Sequence, residues 1–350
     1  MRPLKIAITA DPYLPVPPKL YGGIERVIDF LVRGLVARGH EITLFAHPES
    51  HTDGRLVPYG VPPHSGTRAR LAELWQVGAG LWRARAGIDL VHSFGRLAAL
   101  LPVLGARRIP KVQSYQRAKV PWRGVKVAVR LGGDSIRFTG CSSSVYRDRP
   151  SRGAGRWHTV FNGVPIAKYD FVPRVAADAP LVFLGRLEPM KGAHHAIAIA
   201  RQSGRQLIIA GNRVEESAGV RYFAERIAPA LDGGQITYLG PVDDTQKNDL
   251  LGAAAALLMP VEWEEPFGIV MAEALACGTP IIGFPLGSVP EVVRDGVTGY
   301  LCQTADDAAS AVGRLDRLDR SAARADCEAR FSDTAIVDAY ERIYAEMTGP

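Results

Sequence analysis

Cysteine is scarce in this chain: Cys141, Cys277, Cys302 and Cys327 are its only four, lie far apart and include no C-x-x-C pair. Neither they nor the histidines show the spacing of a zinc cage, and the thiols read as buried or incidental. No run of about 18 apolar residues occurs, which argues against a membrane-spanning helix. The opening MRPLKIAITADPY holds an apolar stretch too short for a signal peptide, so a cytoplasmic location is expected. No G-x-G-x-x-G follows the first apolar run, which weakens any nicotinamide-dinucleotide reading. Low-complexity tracts and short-period repeats are absent too, leaving an ordinary globular composition.

What is present starts with length. At 350 residues, with 47% hydrophobic and 22% charged side chains, the chain suits two domains, each able to bury its own core. The net charge of +6 is unevenly spread. Residues 1–168 carry 26 Lys/Arg against 10 Asp/Glu, and the remainder 16 against 26. Between Asp89 and Asp134 there are nine basic residues and no acidic one. Such a field attracts an anionic partner, whether a lipid surface, a phosphorylated acceptor or nucleic acid, or is simply a solvated surface.

LKIAIT is a short apolar run followed by a proline-rich loop and then the helix-period segment IERVIDFLVRGLVARGH, ending in Gly39. EITLFAH, IDLVHSF and KVQSY continue as strands separated by helical patterns. The alternation restarts with LVFLGRL, QLIIAG, ITYLG, ALLMP and PIIGF. It predicts an α/β protein of two Rossmann-like, doubly wound parallel-sheet domains, residues 1–168 and 169–334. FNGVPIAKYDFVPRVAADAP reads as the linker, and a final helix at 335–350 is expected to pack back toward the N-terminal domain.

The chemistry concentrates in EEPFGIVMAEALACGTP. Pro266 and Gly268 mark a turn and IVMAEALA has helical spacing, so the amides of Phe267, Gly268, Ile269 and Val270 form a helix N-terminus, a ready anion site. Glu265 precedes that helix and Glu273 lies inside it, placed to reach sugar and ribose hydroxyls of one ligand. A carboxylate beside a phosphate needs compensating cations, and GRLEPMKG supplies Arg186 and Lys191 after the first strand of the second domain. Together they counter charge on a departing diphosphate without a metal. Gly22 and Gly23 after the first strand permit close backbone approach to a ligand, or merely start a helix. His92 ends a strand, where it either meets ligand or is structural; Asn162 in FNGVP is a ligand contact or a turn residue. After Pro121, Trp122, Val125 and Val129 share a stripe beside Arg123, Lys126 and Arg130, which suits an interfacial helix on an anionic membrane or ordinary core packing with solvated charges.

These motifs, in this order, resemble the retaining, family-4-type glycosyltransferases of the GT-B fold, which include glycogen synthases, sucrose synthases and bacterial mannosyltransferases. The segments GRLEPMKG, ITYLGPV, LLMPVEWEEPFGIVMAEALACGTPIIGF and GSVPEVVRDGVTGYL carry the resemblance, with YGGIERVIDFLVRGLVARGHEITLF and VHSF extending it into the N-terminal half. It implies two domains facing a cleft, the second holding the nucleotide and the first the acceptor. Arg186 and Lys191 would grip the donor diphosphate of a UDP-, GDP- or ADP-sugar with help from Gly22 and Gly23. Glu273 would bind ribose, Glu265 the transferred sugar as first acid of an E-x-seven-E motif, and His92 the donor sugar. FNGVP has Pro165 where the family commonly has an acid, and VHSF lacks a second histidine often found nearby. The implied reaction is hexosyl transfer with retention to a saccharide, lipid or small-molecule acceptor, without cofactor, metal or nucleic-acid partner. The alternatives are a sugar-nucleotide epimerase or hydrolase of the same fold, and a non-catalytic nucleotide-sugar-binding module.

Overall fold

The structure, a computed structural model, describes residues 2–19, 22–60 and 66–349. It comprises two compact units, residues 1–162 with 333–350, and residues 163–332. Among the described residues, unit 1 holds a seven-stranded parallel sheet of β1 (Lys5–Thr9), β2 (Glu41–Ala46), β3 (Arg55–Pro58), β4 (Leu90–Ser93), β5 (Lys111–Tyr115), β6 (Ile136–Gly140) and β7 (Trp157–Thr159), in the order β3-β2-β1-β4-β5-β6-β7. Its helices are α1 (Gly23–Ala37), α2 (Thr67–Ala84), α3 (Leu101–Leu104) and α4 (Trp122–Gly132). α1 forms because Val27, Ile28, Leu31, Val32 and Leu35 repeat at helical spacing and are all buried.

Unit 2 repeats the architecture. Its parallel strands are β8 (Leu181–Leu184), β9 (Leu207–Ala210), β10 (Ile236–Gly240), β11 (Ala256–Met259), β12 (Ile281–Gly283) and β13 (Gly299–Leu301), in the order β10-β9-β8-β11-β12-β13. The intervening helices are α5 (Ala193–Ser203), α6 (Ser217–Tyr222), α7 (Asp244–Ala253), α8 (Ile269–Ala276), α9 (Val289–Val292), α10 (Ala305–Val312) and α11 (Arg320–Arg330). Capping boxes start α7 (Asp243 with Gln246) and α10 (Thr304 with Asp307). In each unit the first strand lies inside the sheet, with chain order running outward on both sides, which places a topological switch point at β1/β4 and another at β8/β11.

The units divide at Asn162/Gly163 and Ser332/Asp333 rather than at 168 and 334. The first shift has a hydrogen-bonding cause. Val164 N–H bonds Phe331 O at 2.8 Å, Asp170 N–H bonds Asn248 Oδ1 at 3.0 Å and Val172 N–H bonds Cys277 O at 3.1 Å, so the segment read as a linker is tied to unit 2. Arg320, buried, reinforces this by donating to the carbonyls of Val172, Ala254 and Gly252 and to Thr279 Oγ1. The last helix, α12 (Asp333–Thr348), packs on α1, with Val337 against Gly34 and both Tyr340 and Tyr344 fully buried.

Strands β3, β6, β7 and β13 were not expected from the sequence. They are three to five residues long and include charged, polar or glycine positions, so their pattern is weak and pairing with neighbours defines them.

Candidate functional site

The unit 2 switch point gathers most of the expected residues. Arg186 lies in the turn after β8, Lys191 closes a short 3₁₀ turn (Pro189–Lys191) leading into α5, and Glu265 lies between β11 and α8. Lys191 Nζ donates to Glu265 Oε2 at 2.6 Å, and Trp263 Nε1 donates to the same oxygen at 3.0 Å. The ammonium also stands 4.9 Å from the Trp263 ring centroid. Glu265 is only 5% exposed, so this compensation is needed for a charged carboxylate to sit there. Its main chain is fixed as well: Ser288 N–H donates to Glu265 O at 2.8 Å, and a Cβ at Gly287 would fall 2.2 Å from Glu265 N. Gly287, at φ +62°, is thus required both by conformation and by space.

α8 begins behind this pair. Gly268 is its N-cap and no side chain caps it, so first-turn amides at Gly268, Ile269 and Val270 lack intrahelical acceptors and retain their dipole end. Phe267 contributes backbone only, because its ring is buried edge-on against Phe331 at 5.7 Å. Glu273, 6% exposed, accepts from Lys247 Nζ at 2.5 Å and from Tyr169 Oη at 2.9 Å. Lys247 and Tyr169 are site residues that sequence reasoning missed; they come from α7 and from the supposed linker, so only the fold relates them to α8. Arg186 is half exposed and forms an ion pair with Glu188 at 2.6 Å.

Unit 1 has its own charged cluster at the end of β1. Arg117 lies 3.6 Å from Asp11, and burial pushes the Asp11 carboxyl above its usual range against the pull of Arg117 and Arg96. Arg96 donates to Tyr13 Oη at 2.5 Å. Arg96 and Arg117 belong to the nine-residue basic run, whereas Lys111 of that run is buried and donates to Ala106 O and Ser135 Oγ. Gly22, at φ +154°, caps α1, and a Cβ there would meet Pro18 Cβ at 2.7 Å; Gly23 is the first helical residue. Tyr21, which opens that motif, lies outside the described residues.

One expectation needs correction, and one pair of alternatives is resolved. His92 presents no surface: it is 0% exposed, Nδ1 bonds Tyr344 Oη at 2.6 Å and Nε2 bonds Ser114 Oγ at 2.7 Å. Burial pushes its pKa down to about 3, so it is a neutral core residue joining β4, β5 and α12, without a face for a sugar. On α4, Val125 is buried and Trp122 and Val129 pack on the unit 1 core, with the Trp122 ring 5.4 Å from that of Trp157. The stripe is therefore spent on core packing. Arg123, Lys126 and Arg130 remain exposed, with Val127 and Leu131 exposed beside them.

With this geometry in hand, the comparisons with known proteins agree on a class. Residues 21–168 match the family model described as Glycosyltransferase Family 4, and residues 172–330 match that of Glycosyl transferases group 1. The chain belongs to the family-4-type glycosyltransferases of the GT-B fold. Among curated relatives it is similar to the glycogen synthase of Mycobacterium tuberculosis, 27% identical over 357 aligned positions that cover 88% of this chain and 85% of the relative. Among solved structures it is similar to a glycosyltransferase involved in avilamycin A biosynthesis (25% identity, TM-score 0.72, 99% of each chain). It is also similar to Anabaena HepE in complex with UDP and glucose (20% identity, TM-score 0.73, 98% of this chain and 99% of that one). Among the described residues no helix is long and apolar enough to cross a membrane.

Proposed function

We propose that this glycosyltransferase moves a hexose-type sugar from a nucleotide diphosphate sugar to a saccharide, lipid or small-molecule acceptor, with retention and without a catalytic metal. The observation that carries this reading is the Lys191–Glu265 pair, a nearly buried carboxylate and its cation, beside the uncapped start of α8. The diphosphate binds the α8 amides and draws Lys191 partly away from Glu265, with Arg186 adding a second positive charge. Glu265, released from part of its ion pair, then accepts hydrogen bonds from sugar hydroxyls, while Glu273, already held by Lys247 and Tyr169, accepts from ribose. As the glycosidic bond to the diphosphate breaks, charge builds on the leaving oxygen and is offset by Lys191, Arg186 and the helix end. The acceptor hydroxyl attacks from the same face and gives its proton to that leaving oxygen, so no enzyme nucleophile is required. A fold neighbour solved with UDP and glucose supports a nucleotide-sugar donor.

The acceptor is assigned to unit 1, at the Asp11, Arg96 and Arg117 cluster. The basic face of α4 is assigned to peripheral contact with an anionic surface.

The test is a thermal-shift screen against UDP-, GDP- and ADP-sugars, followed by a product assay with the best stabiliser. We expect Lys191→Ala and Glu265→Gln to stay folded at 25 °C and each to lower turnover by about a hundredfold or more. Near-normal turnover in either variant would remove that residue's role. Failure of every nucleotide sugar to stabilise the protein would overturn the donor assignment.

A further inference from the structure

Beside the pair just described, and separate from it, two adjacent histidines at the start of α5 converge on one carboxylate. His195 Nε2 lies 3.0 Å from Glu262 Oε1, and His194 Nε2 lies 3.7 Å from Glu262 Oε2. One ligand atom from each of the three residues falls within a 4.8 Å span. The two ring centroids are 4.1 Å apart, with the planes inclined at 37°.

The surroundings hold this geometry in place. Tyr222 Oη, 2.9 Å from His194 Nδ1, occupies that nitrogen and leaves Nε2 for any further ligand. This is the outer partner that orients a metal-bound imidazole. Phe284 stands edge-on to the His195 ring at 5.4 Å. The main chain on both sides is fixed, His195 N–H to Gly192 O and Glu262 N–H to Met190 O, each at 2.9 Å. The approach between these segments is also close, since a Cβ at Gly192 would lie 1.8 Å from Pro260 O. Arg226 is a nearby cation whose field on His194 opposes a bound metal.

We infer that His194, His195 and Glu262 form a binding site for a single borderline transition-metal cation of the Zn²⁺ type, which cross-links the start of α5 to the segment after β11. Two imidazole nitrogens and one carboxylate oxygen suit Zn²⁺, Co²⁺ or Ni²⁺ and leave positions for water, whereas Mg²⁺ prefers an all-oxygen shell. The ion's role is structural: it joins the two segments that carry Lys191 and Glu265 without replacing either side chain.

The test uses full-length protein stripped with EDTA and titrated with ZnCl₂ against a chromophoric chelator, without nucleotide, so the outcome does not depend on the donor assignment. We expect saturable uptake of a single equivalent, a rise in Tm, and no competition from equimolar Mg²⁺. His195→Ala and Glu262→Gln, both at partly exposed positions, should weaken Zn²⁺ binding by about a hundredfold, and Tyr222→Phe by about tenfold, as loss of an outer partner does. Co²⁺ in place of Zn²⁺ should give visible bands that disappear in His195→Ala. Absence of saturable uptake, or uptake unchanged in His195→Ala or in Glu262→Gln, would overturn the site.

Discussion

Glu265, in the segment between β11 and α8, and His92, near the end of β4, are both buried polar residues, yet their surroundings assign them opposite work. Glu265 has a lysine and an indole N–H sharing one oxygen, and on the proposed reading a diphosphate competes for the lysine. His92 has both nitrogens taken by hydroxyls and meets no counter-charge, so folding selects its neutral form. The sign of its pH dependence follows. The folded pKa, about 3, lies below the ordinary value of 6.5, so the unfolded chain binds the proton more readily. Its stabilising contribution is complete above pH 6.5 and declines as pH falls toward 3, by about 1.4 kcal/mol per pH unit. Between pH 7 and 5 we expect urea-unfolding stability in wild type to fall by about 2 kcal/mol more than in His92→Gln. Equal pH slopes in the two proteins would rule this out. The motif VHSF disclosed a histidine at a strand end but not which way it faces, because Tyr344 lies 252 positions further along the chain. Glu265, Lys191 and Glu273 were legible because local turn and helix patterns fix their positions; Lys247 and Tyr169 were not, because only tertiary packing brings them to Glu273.

At the scale of elements, strong hydrophobic periodicity was sufficient. β5, β10 and α8 fall on the segments read as KVQSY, ITYLG and IVMAEALA. Short strands such as β7 and β13, three residues each, lack enough pattern to stand out. α4 shows the other limit: a helical stripe of Trp122, Val125 and Val129 looks alike whether it meets lipid or a core. Here it meets Trp157 and the unit 1 core, so insertion into a bilayer would first require its removal from that packing. What is left for a membrane is Arg123, Lys126 and Arg130 with Val127 and Leu131, an electrostatic surface with modest apolar content. We therefore expect weak cosedimentation with anionic vesicles at low salt. Arg123→Glu/Lys126→Glu/Arg130→Glu and 0.5 M salt should each abolish it. Trp122→Ala should lower stability by about 3 kcal/mol while leaving vesicle binding unchanged. Loss of vesicle binding in folded Trp122→Ala would restore the inserted-helix reading.

At the scale of the whole molecule, two units of like architecture carry opposite charge balance, and the question is which one takes the nucleotide. The basic unit is the obvious electrostatic choice for an anion, since unit 1, residues 1–162 with 333–350, holds 14 acidic residues against 26 basic ones. Local geometry points the other way. In unit 2, an uncapped helix start, Lys191 and Arg186 lie at one switch point within an acidic half, and on the proposed reading short-range contacts outweigh the screened long-range field. Tryptophan placement turns this into a measurement. Trp75, Trp82, Trp122 and Trp157 all belong to unit 1, and Trp263 alone belongs to unit 2. The Trp263 ring has Lys191 near its centroid and donates to Glu265, so a diphosphate that redirects Lys191 changes the charge around that indole. We expect the best-stabilising nucleotide diphosphate to alter tryptophan emission and, at a hundred times its Kd, to stabilise the protein by about 2.7 kcal/mol. In Trp263→Phe the thermal stabilisation should persist within about 1 kcal/mol, the usual scale for loss of one hydrogen bond, while the emission change disappears. If the full emission change survived in Trp263→Phe, the responding indole would belong to unit 1, and the nucleotide would have to be sought at Asp11, Arg96 and Arg117.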